Sequence, residues 1–272
     1  MLVLSHEFSG RMPIHSSDRW SHHGDLDQTP TRVAIVTGGS RGIGRAVAET
    51  LAADGCAVVI AYVGNQGAAD EAVAAITAAG GTASAVRADI ADELAIASLF
   101  ETVERDHGGV DVVVNAAGIM PLGTVADFDL DELDAVLRTN VRGTFVVAQQ
   151  AARRVSRGGA TITFSSSVTR FARPGNAAYT MSKGAVEALT LLLARELDGR
   201  DVTVNTVAPG AIETEMLDAF LVGREAVREE IRRQSPLERM GAPDDIAAVV
   251  RFLAGPGRWI NGQILYANGG AI

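Results

Sequence analysis

The chain has 272 residues and a mass of 28.4 kDa, and its formal net charge at pH 7 is −9. Nucleic acid and anionic membranes are poor partners for so acidic a chain, and its single cysteine, Cys56, excludes an internal disulfide and a cysteine-based zinc cluster. We see no apolar run of membrane-spanning length and no signal-peptide pattern, so we expect a soluble cytoplasmic protein.

Residues 1–30 differ in composition from the rest of the chain. Four of the five histidines lie there, among Ser, Asp, Gly and Arg, without a helical or strand period. A metal-binding tail and a disordered extension are both compatible with this pattern. We expect a disordered N-terminal extension, followed by a single domain over residues 31–272.

From Thr31 onward, short β-branched apolar runs alternate with longer Ala-rich helical patterns. The predicted strands are 32–37, 57–62, 83–88, 110–115, 160–165, 202–208 and 263–267, and the predicted helices are 42–54, 67–79, 92–106, 130–156, 177–198, 213–234 and 243–254. Apolar strands that are each followed by a helix are typical of a parallel sheet covered on both sides. The sequence therefore predicts an α/β fold, a single doubly wound parallel seven-stranded sheet with helices on both faces (the Rossmann fold).

A glycine-rich turn, Thr37-Gly-Gly-Ser-Arg-Gly-Ile-Gly44, joins the first predicted strand to the first predicted helix. Glycines at this place leave backbone N–H groups and the positive end of the helix open to a pyrophosphate. An ordinary tight turn also uses glycines, but the position after the first strand of an α/β chain favours a dinucleotide site. The predicted contacts are Gly38, Ser40, Arg41, Gly42, Ile43 and Gly44.

The end of the second predicted strand bears on the choice between the two nicotinamide cofactors. An acidic residue there would bond the ribose 2′-hydroxyl of NAD and repel the 2′-phosphate of NADP. The strand ends at Tyr62 and continues Val-Gly-Asn65, without a carboxylate. Arg41 and Arg45 could each place a guanidinium against a phosphate, although both would also suit a solvated surface. We expect NADP(H) in preference to NAD(H).

Tyr179 and Lys183 stand four residues apart in a helical pattern, so their side chains share one helix face. A free tyrosine has a pKa of about 10, and a neighbouring ammonium favours its phenolate. A tyrosine packed on the stem of a surface lysine is the alternative. However, Lys183 is the only lysine among 24 Lys and Arg residues. Because arginine serves everywhere else, this position indicates a need for a compact ammonium, and we predict a catalytic pair.

The order of these motifs resembles that of the short-chain dehydrogenase/reductase family in its compact single-domain form, and is similar to the 3-oxoacyl-[acyl-carrier-protein] reductases. The matching segments are Thr37 to Gly44, Asp89, Asn115 to Gly118, Asn140, Ser165 to Ser167, Tyr179 to Lys183 and Pro209-Gly210. The segment from Asn115 departs from the commoner Asn-Asn-Ala-Gly at Ala116, which puts one supporting hydrogen bond in doubt. The resemblance spans residues 31–272.

The resemblance implies a metal-free catalytic tetrad of Asn140, Ser166, Tyr179 and Lys183. Tyr179 would be the general acid in carbonyl reduction, and Lys183 would bind the nicotinamide ribose and lower the pKa of that tyrosine. Asn140 would hold a water of a proton relay. The family usually places its serine thirteen residues before the tyrosine, which selects Ser166, but Ser167 also fits the motif and stays an alternative.

The implied cofactor contacts extend beyond the glycine turn. They are Tyr62, Asp89, Ile90, Asn115, Ala116, Gly118, Tyr179, Lys183, Pro209, Gly210, Ile212 and Thr214. Residues 211–239 match the segment that forms a mobile lid in this family, although a charged helix packed on the body would show the same pattern. In this family the helices predicted at 130–156 and 177–198 form the usual dimer faces, and the C-terminal segment 263–270 often forms a second interface. We therefore expect a homotetramer, with a dimer as the alternative.

The implied function is NADPH-dependent reduction of a ketone or 3-oxoacyl-type carbonyl to a secondary alcohol by hydride transfer. An NAD(P)-dependent dehydrogenase of a secondary alcohol, sugar or steroid-like molecule is one alternative. A non-catalytic dinucleotide-binding sensor on the same scaffold is another.

Overall fold

The computed structural model describes residues 31–171 and 173–272, and the predicted N-terminal extension lies outside the described residues. The strands are β1 (Val33–Thr37), β2 (Ala57–Tyr62), β3 (Thr82–Arg87), β4 (Val110–Asn115), β5 (Val155–Phe164), β6 (Thr203–Pro209) and β7 (Ile264–Ala267). The helices are α1 (Gly42–Ala53), α2 (Gln66–Ala78), α3 (Glu93–His107), α4 (Leu130–Val136), α5 (Thr144–Arg154), α6 (Ala177–Glu196), α7 (Glu215–Leu221), α8 (Glu225–Gln234) and α9 (Pro243–Ala254). Nothing in this described part is both long and apolar enough to form a membrane-spanning helix.

The strands form one seven-stranded parallel sheet in the order β3-β2-β1-β4-β5-β6-β7, which confirms the predicted fold. β2 and β3 extend the sheet to one side of β1, and β4 to β7 extend it to the other side. At such a reversal the loops after two adjacent strands turn to opposite faces and leave a crevice at the carboxyl ends. Thr37 is in register with Asn115, so β1 and β4 end side by side at this crevice.

Alternate residues of the central strands enter two hydrophobic cores, one on each face of the sheet. In β1, Ala34 and Val36 belong to the core that includes α1, α2 and α9, whereas Val33 and Ile35 belong to the core that includes α3, α5 and α6. Because both sets are buried, the strand has no polar face, and this explains its uninterrupted apolar sequence.

The helix predicted at 130–156 forms, but its interior and its end differ from the prediction. Between α4 and α5, residues Leu137–Gly143 are π-helical. A π-helical turn commonly marks a functional site, and here it contains Asn140. The last two predicted residues belong to β5, because Val155 pairs with Val110 before a bulge in the strand.

The helix predicted at 213–234 is divided into α7 and α8. Gly223 lies between them with a φ of 68°, a left-handed conformation that ends α7 and that glycine adopts at little cost. The division matters for the site because α7 lines the crevice and starts directly after the loop that follows β6.

Candidate active site

A cleft of about 1290 Å³ lies at the carboxyl ends of the strands, beside the point where β1 and β4 end. Its wall combines the loops after β1, β3, β4 and β6 with the end of β2, the turn after β5 and the first half of α6. All predicted site residues line this cleft apart from Asn115 and Asn140, which lie behind its wall. The fold therefore brings together segments that are far apart in the sequence.

The glycine-rich turn fits a pyrophosphate in its local geometry. Gly38 has a φ of 65°, and a Cβ at this position would lie 2.9 Å from backbone atoms of Ala117. A Cβ on Gly44 would lie 2.2 Å from the carbonyl oxygen of Gly38, so only glycine allows α1 to start this close to the turn. As far as the described residues show, no side chain caps α1 at Arg41. The first N–H groups of α1 stay available to an anion.

The two arginines considered for the 2′-phosphate have different surroundings. Arg41 lines the cleft, and its Nη1 is 3.1 Å from Oε2 of Glu215, the first residue of α7. Arg45 is paired along its own helix, with Nε 2.8 Å from Oε1 of Glu49. Tyr62, at the end of β2, also lines the cleft. Only Arg41 therefore combines a position in the wall with a partner that an incoming phosphate could replace.

Asn115 was predicted to contact the cofactor, but the structure places it inside the sheet. Thr37 Oγ1 donates to Asn115 Oδ1 over 2.6 Å, and Asn115 Nδ2 donates to Thr144 Oγ1 over 2.9 Å. The side chain thus joins β1, β4 and α5, because its amide is directed into the sheet and not toward the cleft. Ala116 and Gly118, from the same loop, do line the cleft.

Tyr179 and Lys183 lie on one face of α6, and both are buried. The Lys183 ammonium is 5.4 Å from the centroid of the Tyr179 ring, and it donates to the Phe164 carbonyl over 2.9 Å. Burial lowers the pKa of Lys183 to about 8. Burial also raises the pKa of Tyr179 to about 12, and a hydrogen bond with Ser166 acts in the lowering direction. In the protein alone, the tyrosine pKa is thus shifted opposite to the sequence-based expectation.

The two candidate serines have different partners. Ser166 acts to lower the pKa of Tyr179 through hydrogen bonding, and its hydroxyl accepts a hydrogen bond from the backbone N–H of Val168 over 3.4 Å. The Ser167 hydroxyl lies 3.5 Å from the Ala208 carbonyl and accepts from Asn268 Nδ2 over 3.1 Å. Ser166, rather than Ser167, is therefore the serine that influences the pKa of Tyr179.

Asn140 lies in the π-helical segment, behind the loop that follows β4. Its Nδ2 donates to the Ile119 carbonyl over 2.9 Å and to Ser182 Oγ over 3.0 Å, and its Oδ1 accepts from the Ile119 N–H over 2.9 Å. A Cβ on Gly118 would lie 3.3 Å from Asn140 Oδ1 and 3.6 Å from Lys183 Nζ. Asn140 therefore fixes this loop against α6, close to the lysine.

The remaining predicted contacts lie along the rim of the cleft. Asp89 Oδ1 accepts from the Ala91 N–H over 2.9 Å, which fixes the turn containing Ile90. Thr214 caps α7 by accepting from the Leu217 N–H over 3.4 Å, and Ile212 forms a bridge with Gly241. These residues line the same cleft as the glycine turn, and their contacts with a cofactor stay a prediction.

Sequence reasoning missed several lining residues after β6 and β7. Among them are Asn268 and Gly269, and a Cβ on Gly210 would lie 2.8 Å from the Cβ of Asn268. The consecutive glycines at 269–270 were the sequence signal that could have indicated this close approach of the backbone.

The wall beyond Tyr179 is largely apolar, with Met120, Leu122, Phe171, Met216, Leu217 and Phe220.

Comparison with known proteins agrees with this architecture over most of the chain. A family profile described as enoyl-(acyl carrier protein) reductase matches residues 38–271. A protein of Arabidopsis thaliana named NADPH-dependent aldehyde reductase-like protein is 39% identical, over 93% of this chain and 100% of its own length. A versicolorin reductase of Emericella nidulans is 39% identical, over 88% of this chain and 95% of its own length.

The structure also superposes on solved structures of similar sequence. A short-chain dehydrogenase from Burkholderia cenocepacia, crystallised in complex with NADP, is 42% identical and has a TM-score of 0.82. The match covers 89% of this chain and 98% of that one.

Proposed function

Because this chain belongs to the short-chain dehydrogenase/reductase family and is an NAD(P)-dependent oxidoreductase of that family, we propose that it reduces a ketone or 3-oxoacyl-type carbonyl to a secondary alcohol with NADPH. Residues 31–272 form the catalytic domain in this proposal. Tyr179 is its general acid, and Ser166, Lys183 and Asn140 complete the tetrad.

One observation carries this proposal, namely that Tyr179 and Ser166 line the inner end of the cleft together, beside the buried ammonium of Lys183. A carbonyl oxygen between the two hydroxyls could accept from both. A tyrosine whose pKa is about 12 stays protonated at neutral pH. Protonated tyrosine is the form that a carbonyl reduction consumes.

In this proposal Ser166, Tyr179 and Lys183 have separate roles in the reduction. The bound nicotinamide supplies the hydride, which the protein cannot do by itself. Ser166 donates a hydrogen bond to the carbonyl oxygen and stabilises the negative charge that develops there. Tyr179 transfers its hydroxyl proton to that oxygen, so the product is a neutral alcohol. Lys183 lies beside the phenolate that Tyr179 leaves, and its ammonium stabilises that charge.

Support for NADPH over NADH comes from the outer end of the cleft. β2 ends at Tyr62 without an acidic residue, and the Arg41 guanidinium lies in the wall. A relative is named as NADPH-dependent, and a similar structure contains NADP. Arg41 could pair with a 2′-phosphate, whereas NADH offers it only hydroxyls.

Association into a homotetramer is part of the proposal. Phe145 of α5 and Met181 and Leu192 of α6 are each more than half exposed, at 56, 62 and 59%. Large apolar side chains on two neighbouring helices are suited to packing against a second copy. The cytoplasmic location expected from the sequence stays a prediction.

A substrate panel tests the function directly. Ethyl acetoacetate, cyclohexanone and benzaldehyde are offered with NADPH and NADH, and cyclohexanol and benzyl alcohol with the oxidised cofactors. We expect carbonyl reduction with NADPH, and fluorescence titration should give tighter binding of NADPH than of NADH. Turnover of alcohols alone would favour the dehydrogenase alternative, and tighter NADH binding would overturn the cofactor assignment.

A further inference from the structure

Glu187 of α6 lies outside the proposed tetrad, yet it makes an unusual set of contacts beside it. Its Oε1 accepts a hydrogen bond from Ser165 Oγ over 2.7 Å and from Thr169 Oγ1 over 2.8 Å. Tyr266 OH also lies 3.4 Å from this oxygen. We call Ser165, Thr169, Glu187 and Tyr266 the hydroxyl cluster. One carboxylate oxygen is thus close to three hydroxyl groups from two segments of the chain, the turn after β5 and the strand β7.

The two shortest of these bonds flank the serine of the proposed tetrad. Ser165 precedes Ser166, and Thr169 ends the short 3-10 turn that follows it. Thr169 Oγ1 also lies 3.0 Å from the Ser166 carbonyl. The position of the Ser166 hydroxyl therefore depends on a turn that is attached at both ends to the same glutamate.

A stripe of three residues on α6 holds the end of β5 and this turn. Tyr179, Lys183 and Glu187 are spaced by four residues, so they lie one above another on the helix. Tyr179 lines the cleft together with Ser166, Lys183 bonds to the Phe164 carbonyl, and Glu187 bonds to the hydroxyls on each side of Ser166. The helix that carries the tyrosine therefore also sets the position of the serine.

A carboxylate suits this role because it only accepts hydrogen bonds and has several lone pairs. Its charge also strengthens each bond relative to a neutral acceptor. Tyr266 closes the cluster from β7, since its hydroxyl lies 3.2 Å from Thr169 Oγ1 and accepts from Arg170 Nε over 2.9 Å.

We propose that Glu187 is a positioning residue, which fixes the turn from Ser165 to Thr169 so that the Ser166 hydroxyl stays within hydrogen-bond reach of Tyr179. This inference rests on the proposed function, because it requires Ser166 and Tyr179 to act on one carbonyl oxygen. A displacement of about 1 Å at a reacting group can cost on the order of a hundredfold in rate.

The test compares kcat, KM and NADPH affinity in Glu187→Ala, Glu187→Gln and Glu196→Ala, with ethyl acetoacetate or the carbonyl of the panel that is reduced fastest. Glu196 is the matched control, as an exposed carboxylate near the end of the same helix. We expect Glu187→Ala to lower kcat by about tenfold to a hundredfold with NADPH affinity within about twofold of wild type. Glu187→Gln keeps an acceptor oxygen and should recover most of the loss, whereas Glu196→Ala should change nothing.

A double-mutant cycle with Ser166→Ala separates positioning from general structural damage. If Glu187 acts through Ser166, then adding Glu187→Ala to Ser166→Ala should cost less than about twofold in kcat. The proposal would be overturned if the losses of kcat in the two single variants multiplied in the double variant, or if Glu187→Ala kept the kcat of wild type. If Glu187→Ala does not fold, the cycle is run with Ser165→Ala and Thr169→Val combined, and the same outcomes decide.

The cycle also separates the positioning role of Glu187 from the catalytic role of Ser166. A severe Ser166→Ala variant together with a silent Glu187→Ala variant would remove only the positioning role. Wild-type kcat in Ser166→Ala would overturn the serine assignment of the proposed function, and the role of Glu187 with it.

Discussion

The two ends of the cleft are held by different kinds of interaction. At the inner end, Tyr179 and Lys183 are buried, and the lysine is bonded to a backbone carbonyl. At the outer end, Arg41 and Glu215 form an ion pair whose side chains are 66 and 72% exposed. An exposed ion pair contributes only about 0–1 kcal/mol, whereas loss of a partner from a buried charged group costs several times more. The inner end is thus fixed, and the outer end can exchange partners at little cost.

One cleft can therefore combine constant chemistry at its inner end with adjustable selectivity at its outer end. Proton transfer requires groups placed within a fraction of an ångström, and burial with hydrogen bonds to the backbone provides that. Cofactor and substrate selection depend on contacts that form when a ligand arrives. We therefore expect substitutions at the inner end to change the rate, and substitutions at the outer end to change affinity.

The largest expected effect is the loss of the Tyr179 hydroxyl. Tyr179→Phe removes the proposed proton donor, so kcat should fall by about a thousandfold, within the range usual for general acids. NADPH affinity, measured by fluorescence titration, should stay within about twofold of wild type. Tyr62→Phe removes a hydroxyl at the outer end and is the matched control, with kcat nearly unchanged. Substantial activity in Tyr179→Phe would show that another group supplies the proton.

The second effect concerns stability and pH at the inner end. Burial lowers the Lys183 pKa from 10.5 to about 8, so the folded protein binds fewer protons than the unfolded chain between these values. The free energy of unfolding should therefore rise with pH across this range. Burial of the charged lysine destabilises the folded protein by about 3 kcal/mol at a pH below 8, and this cost should disappear as the pH passes 10.5.

Comparison with Lys183→Met isolates the pH-dependent contribution of Lys183 to the free energy of unfolding. The stability of the variant relative to wild type, from urea unfolding, should be highest near pH 7 and should fall as the pH approaches about 10. The pKa of Tyr179, raised to about 12, acts in the opposite direction only above its ordinary value of 10. A difference that stays constant over this range would mean that the lysine is not buried as described.

The smallest effect is expected at the outer end. Arg41→Ala should weaken NADPH binding by about tenfold or more, since a hydrogen bond to a charged group contributes about 1.5–3 kcal/mol, and should leave NADH binding unchanged. Glu215→Gln removes the competing carboxylate and should strengthen NADPH binding by up to about fivefold.

Arg45→Ala serves as the control for these outer-end variants, because Arg45 is paired with Glu49 on its own helix. Fluorescence titration with both cofactors measures all of the affinities. Equal losses for NADPH and NADH in Arg41→Ala would contradict a phosphate-specific role.

Much of the fold could be predicted from sequence because its signals are local. Buried strands have continuous apolar runs, and the glycine turn and the Tyr179–Lys183 spacing are short motifs with a geometric meaning. The π-helical turn at Asn140 could not be predicted, since it depends on bonds from Asn140 to Ile119, in a loop that is distant in sequence. The division between α7 and α8 was signalled only by Gly223.

Most of the predicted site residues line one cleft, and their roles stay predictions. Asn115 appeared beside cleft residues in the sequence, but alternation along the end of β4 turns its amide into the sheet. The direction of the tyrosine pKa shift in the protein alone differs from the expectation, because burial of the side chain is a tertiary property and outweighs hydrogen bonding from Ser166. Glu187 had a sequence signal, its four-residue spacing from Lys183, but its partners could be identified only in the folded chain.

The scarcity of lysine gives this protein an unusual covalent chemistry. Lys183 is the only side-chain amine among the 272 residues, and it is buried in the cleft wall. Reagents that acylate or alkylate lysine therefore have one side-chain target, while the arginines that carry the remaining positive charge do not react with them. A reagent too large for the cleft leaves that amine unmodified in the folded chain, so the rate at which Lys183 itself is labelled reports how often this buried amine becomes exposed.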